Sequence, residues 1–155
     1  MNEPIYDFFW EGPFDWNKRH PYLKKYHVLY SIEGTHPVYG RDVLLYIGMT
    51  DGGIGNRLSD HEKWVEDEYD RVRVRVASVG KFINWGKWYQ YPHYPKEDAS
   101  IVSRVEALLI FAHQPAYNTM GKGSLGKKEG IRVFNTGMCG LLLPELSYLY
   151  HRELK

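Results

Sequence analysis

The run RVRVRVASV, beginning at Arg71, alternates arginine with valine without a break. Successive residues of a β-strand point to opposite faces, so this spacing predicts a strand with Val72, Val74 and Val76 on one side and Arg71, Arg73 and Arg75 on the other. The valine face must be buried. The arginine face must meet water, acids or a polyanion, and the sequence leaves an acid-paired solvated face and a phosphate-facing surface both open.

Two further β-rich runs precede it. Tyr26 to Glu33, YHVLYSIE, and Asp42 to Thr50, DVLLYIGMT, are separated by GTHPVYGR, whose glycines and proline mark a turn region, so an antiparallel pair is expected. From Gly55 the period becomes helical. Ile54, Leu58, His61 and Val65 fall on one stripe, with Asn56 as the expected N-cap. A second helix is expected from Ser100 to His113, with Ser100 as N-cap, Glu97 and Asp98 ahead of it, and an apolar stripe of Ile101, Val105, Leu108, Leu109 and Ala112. Gln114 and Pro115 end it. Between these segments WGKWYQYPHYP is too rich in aromatics and proline for a central strand and reads as a large loop. Its Trp85, Trp88, Tyr89, Tyr91 and Tyr94 would either pack down or stack on bases. After Pro115 comes AYNTMGKGSLGKKEG, a flexible basic loop; IRVF is a candidate strand and LLLPELSYLYHREL a closing helix. The order implies an α+β fold, a small, mainly antiparallel three-stranded sheet flanked by helices, with a C-terminal extension.

At 155 residues the chain is expected to form a single domain, 1–155, with its core at about 26–119, an aromatic segment at 1–25 and the extension at 120–155. In the first segment Phe8, Phe9, Trp10, Phe14 and Trp16 are candidates for core packing or for a homodimer contact. One cysteine, Cys139, excludes an internal disulfide and a zinc knuckle, and a reducing cytoplasm is the simplest compartment. The N-terminus lacks a basic region followed by an apolar run, and no stretch reaches the length needed to span a bilayer. The net charge of +1 makes no overall case for a polyanionic partner. The charge is nevertheless blocky, and Lys122, Lys127, Lys128 and Arg132 form a local basic set.

Glu106 sits at the edge of a greasy helical face, among Val102, Val105, Leu109 and Ile110. A carboxylate there must be exposed, paired with a base such as Arg57 or Arg104, or bound to a cation. Arg57 and His61, four apart, project from one helix face. Such pairs are ordinarily solvated surface. This helix, however, follows a strand ending in Tyr46 and Gly48, and its N-terminus would turn donors toward an anion held there.

The ordered set of Tyr30 in VLY, the motif YIG at Tyr46, Ile47 and Gly48, Arg57 nine residues on, His61 four further, Glu106 in VEALLI and Asn118 in QPAYN resembles the GIY-YIG nucleases. The resemblance runs from about Tyr26 to Thr119. The first half-motif departs from the family's, with VLY in place of GIY, and Met49 stands where relatives often carry lysine. Many relatives attach a separate DNA-binding module, for which this chain has no room, so it resembles the compact restriction-endonuclease members.

The resemblance implies a DNA endonuclease acting on double-stranded DNA and leaving 5′-phosphate and 3′-hydroxyl ends. Glu106 would hold one Mg²⁺ or Mn²⁺, Arg57 would grip the scissile phosphate near Gly48, and Tyr30, or failing it Tyr46, would activate water. His61 would accept that proton or orient the tyrosine, and Asn118 would tie the loop after the second helix to the site. Lys122, Lys127, Lys128 and Arg132 would supply further phosphate contacts. The competing expectations are an inactive nucleic-acid-binding module of the same fold and, more weakly, a structural interaction protein docking through its aromatic N-terminus.

Overall fold

The computed structural model describes residues 3–50, 53–82, 84–86, 99–125 and 130–151. Its main elements are β1 (Ile5–Asp15), β2 (Leu29–His36), β3 (Gly40–Met49), α1 (Ile54–Ser59), α2 (Glu62–Glu66), β4 (Arg73–Lys81), α3 (Ala99–His113), β5 (Arg132–Gly137) and β6 (Glu145–Ser147). The strands form one six-stranded sheet in the order β3-β2-β4-β1-β5-β6, curled into a half-barrel. All neighbours are antiparallel except β1 and β5, which run parallel.

This corrects the expected three-stranded sheet flanked by helices. Strands β3, β2 and β4 account for half of the sheet, and the aromatic N-terminal segment supplies the strand that extends it. Phe8 and Trp10 alternate with Asp7, Phe9 and Glu11, a strand pattern interrupted by the turn-like pair Gly12-Pro13. Those two residues sit where the register with β4 shifts, between Glu11 and Phe14, and Gly12 adopts φ 118°. A bulge accommodates both a left-handed glycine and a proline without a ladder N–H, so the strand continues past them. Phe8, Trp10 and Trp16 are buried in the core, which leaves them nothing to offer a second copy.

The expected closing helix is also corrected. Residues 145–147 pair with β5 as β6, and Tyr148–His151 form a single 3₁₀ turn. Leu146, Ser147 and Tyr148 are buried in succession, and the ladder to β5, with Leu146 opposite Val133, prevails there over the helical reading. Residues 152–155 of that stretch lie outside the described residues, as do Trp88, Tyr89, Tyr91 and Tyr94 of the aromatic loop, Glu97 and Asp98, and Lys127 and Lys128. Trp85 is exposed, with its ring against Phe82 and Phe134.

Helices cover both faces of the sheet. The apolar side of α3, including Val105, Leu108 and Leu109, packs with Phe8, Trp10, Leu29 and Ile47. Ile54 and Leu58 of α1 pack instead with Tyr30, Ile32, Val74 and Val76. Leu29 and Tyr30 are consecutive and belong to different clusters, as strand geometry requires of opposite faces. The valines of β4 are buried as their alternation predicts. The arginines of the alternating run are paired with acids: Arg71, just ahead of β4, with Asp15 at 2.8 Å, Arg73 with Asp42 at 2.7 Å and Arg75 with Glu33 at 2.6 Å. Those pairings supply a structural reason for the arginine face. Among the described residues no helix is long and apolar enough to cross a membrane.

Candidate active site

The register of β2 against β3 sets Tyr30 directly opposite Gly48. Tyr30 lies flat across its neighbour, and a Cβ built on Gly48 would fall 2.5 Å from Tyr30 Cζ and 2.9 Å from its Cε1. The glycine of YIG is therefore a space for the Tyr30 ring. Two residues earlier on the same face of β3, Tyr46 stacks its ring 6.1 Å from that of Tyr30.

The helix after β3 is shorter than its stripe suggests. The first helix, α1, ends at Ser59, Asp60 and His61 form a break, and α2 begins at Glu62. Gly53, with φ 107°, occupies the N-cap position expected of Asn56, and no side chain caps it. The expected stripe nevertheless holds, because Ile54, Leu58, His61 and Val65 are all buried. The break turns His61 inward. It is 7% exposed, and its Nε2 lies 2.7 Å from Tyr30 Oη. Its ring stands 4.4 Å from the Tyr46 ring. On its far side the Trp64 indole N–H donates to His61 Nδ1 at 2.9 Å.

Arg57 stands at the rim, its side chain 42% exposed and paired with Asp60 at 3.1 Å. Its charge reaches the buried groups below. Burial holds the Tyr30 phenol far above the usual tyrosine range, and Arg57 is the chief influence opposing that rise. Burial, followed by the charge of Arg57, drives the His61 imidazole down to about 4, so it is neutral at physiological pH. Glu106, half-buried on α3, is also within electrostatic reach of Tyr30.

Asn118 has a different place. Its side-chain oxygen accepts from the Ile47 N–H and its amide donates to the Ile47 carbonyl, each at 3.0 Å. The two preceding residues also bond this edge, Ala116 N–H to Leu44 O at 3.1 Å and Tyr117 N–H to Leu45 O at 2.8 Å. The loop after α3 is thus laced along the free edge of β3, beside Tyr46 and Gly48, and Asn118 saturates backbone groups that an edge strand would leave open.

Of the basic set, the two described members have partners outside this cluster. Arg132, on β5, is taken up by Glu3, Glu145 and the Tyr150 hydroxyl. Lys122 donates to the Pro115 carbonyl at 2.8 Å. The residues that sequence reasoning passed over are Trp64, Asp60 and Tyr117, whose ring meets the Trp64 ring edge-on at 5.3 Å.

One carboxylate, with waters and phosphate oxygens completing the shell, is a donor set that magnesium accepts. Glu106, half-buried on α3, is a single carboxylate of that kind, and among the described residues no group of three or more histidine, cysteine or acidic side chains is placed to hold a metal ion. No protein-family model, curated protein or solved structure matches the chain.

Proposed function

We propose that this protein is a metal-dependent endonuclease that hydrolyses DNA phosphodiester bonds, with a site of the kind seen in GIY-YIG nucleases. The observation that carries the reading is the convergence of Tyr30, Tyr46, His61 and Arg57, with Glu106 in electrostatic reach, where the start of β2 meets the end of β3 and the Tyr30 ring lies over Gly48. The reading rests on these residues and not on a match of fold.

Phosphodiester hydrolysis needs an in-line water, a group to take its proton, and positive charge on the phosphoryl and leaving oxygens. Arg57 is the exposed cation of the cluster, and its fork suits a bidentate grip on phosphate in place of Asp60. A divalent ion on Glu106 would supply Lewis-acid stabilisation to the same oxygens. Tyr30 is the proposed proton acceptor, aided by the charge of Arg57. One observation favours a second assignment. Tyr30 is 0% exposed and Tyr46 is only half-buried, so Tyr46 is the tyrosine that meets water without rearrangement. Lys122, Lys127 and Lys128 remain proposed phosphate contacts on double-stranded DNA, whereas the ion pairs of Arg132 commit it to holding β5 beside β6. The lone Cys139 is in keeping with a reducing cytoplasm.

The test is incubation of the protein with supercoiled plasmid and Mg²⁺ or Mn²⁺, beside Tyr30→Phe and Tyr46→Phe. Metal-dependent nicking or fragmentation that is abolished by Tyr30→Phe supports the first assignment, and loss only with Tyr46→Phe supports the second. Binding without cleavage by the wild type would select the inactive nucleic-acid-binding module.

A further inference from the structure

We propose that Trp64 is a positioning residue that locks His61 in the Nε2–H tautomer, so that the histidine donates to Tyr30 instead of taking its proton. An indole N–H can only donate, and a neutral imidazole carries one donor and one acceptor. The Trp64 N–H points at His61 Nδ1 at 2.9 Å, so Nδ1 presents its lone pair and the single imidazole proton resides on Nε2. That nitrogen faces Tyr30 Oη at 2.7 Å, and the phenol oxygen therefore accepts. The other tautomer, or the imidazolium, would set two N–H groups against each other in a nearly sealed site.

The tryptophan is itself held. Its ring packs edge-on against His61 at 5.7 Å and against Tyr117 at 5.3 Å, and the Tyr117 backbone is bonded to β3. The same loop that carries Asn118 thus fixes both the edge of the YIG strand and the tautomer beneath it. Neutrality of the imidazole, which burial and Arg57 enforce, agrees with this arrangement. Its chemical consequence rests on the nuclease reading. For Tyr30 to act as the base its own O–H proton must first leave to bulk water and not to His61, and the phenolate so formed would keep the Nε2–H donor and the charge of Arg57 as its stabilisers.

The test is ¹⁵N NMR of the full chain with labelled histidine and tryptophan, with His61 assigned by its loss in His61→Gln. The wild type should show a protonated Nε2 and an unprotonated Nδ1 for His61, and a coupling across the hydrogen bond between the Trp64 indole nitrogen and Nδ1. A protonated Nδ1 in the wild type would overturn the proposal without recourse to any variant. Trp64→Phe keeps a packing ring and deletes the donor. It should release His61 into a mixture of tautomers and lower single-turnover cleavage about ten-fold, the scale of one hydrogen bond. An unchanged His61 pattern in Trp64→Phe would also refute it. If the tautomer is as stated and the wild type cuts no DNA, the positioning stands and the nuclease reading falls.

Discussion

Gly48→Ala isolates the steric logic of the site. The backbone at Gly48 is not left-handed, so an alanine there meets no conformational penalty. The obstacle is the Tyr30 ring, because the new methyl would sit 2.5 Å from Cζ, closer than packed carbons approach. Overpacking of this kind costs about 1–3 kcal/mol. Displacing the ring also breaks the Tyr30 to His61 bond, worth about 0.5–1.5 kcal/mol. Replacing a strand glycine returns about 0.5–1 kcal/mol, so a net destabilisation of roughly 1–3 kcal/mol is expected by urea unfolding. Gly55→Ala in α1 is the control, since among the described residues its Cβ would meet only Leu23, at 3.9 Å, and it should stabilise by about 1 kcal/mol. In a Tyr30→Val background the contacting ring atoms are gone, so the Gly48→Ala cost should largely vanish, a coupling that a double-mutant cycle measures. A cost below about 0.5 kcal/mol in the native background, or an equal cost in both, would refute the reasoning.

Other perturbations follow from the buried polar groups. Asp7, 1% exposed on β1 with Thr136 bonded to one oxygen and no partner on the other among the described residues, has its carboxyl raised by burial to about 6 from an unfolded value of 3.8. It therefore withdraws up to about 3 kcal/mol of stability as pH rises through that window. His61 has the opposite sign, because the unfolded chain takes up a proton at 6.5 and the folded one only near 4, so stability falls as pH drops between them. The two slopes largely cancel in the wild type. Melting curves at pH 4 to 7 should tilt toward neutral stability in Asp7→Asn and toward acid stability in His61→Gln; parallel curves for all three would contradict both assignments. Asn118→Ala strips the Ile47 N–H and carbonyl of their partners and should cost about 2–4 kcal/mol, with accelerated hydrogen exchange at the Ile47 amide. Unchanged exchange there would show that the loop does not clamp β3.

The parts of the fold that were legible are those in which local period and tertiary burial agree. The alternation of Val72, Val74 and Val76, the pairing of β2 with β3, and α3 up to Gln114 each follow from a pattern a few residues long. The strand at the N-terminus was not, because its neighbours β4 and β5 lie far along the chain, and the bond from Thr136 to Asp7 spans 129 positions. A parallel pairing leaves no turn to announce it, and Gly12-Pro13 suggests a stop where a bulge permits continuation. In the site, motif spacing locates Tyr30, Tyr46, Arg57 and His61. The helix break at Asp60 and His61, which turns the imidazole under Tyr46, has no glycine or proline to signal it, and Trp64 became visible as a partner only once that break had placed the ring nitrogen before it.

The most direct test of the nuclease account pairs cleavage with binding in Glu106→Gln, which removes the charge proposed to hold the metal while preserving the shape of the side chain. With Mg²⁺, wild-type protein should nick or cut supercoiled plasmid. The variant should cut at least about 100-fold more slowly while binding duplex DNA within a few-fold of wild type. A variant that cuts at the wild-type rate with magnesium, or a wild type that binds DNA and leaves it intact, would contradict the account.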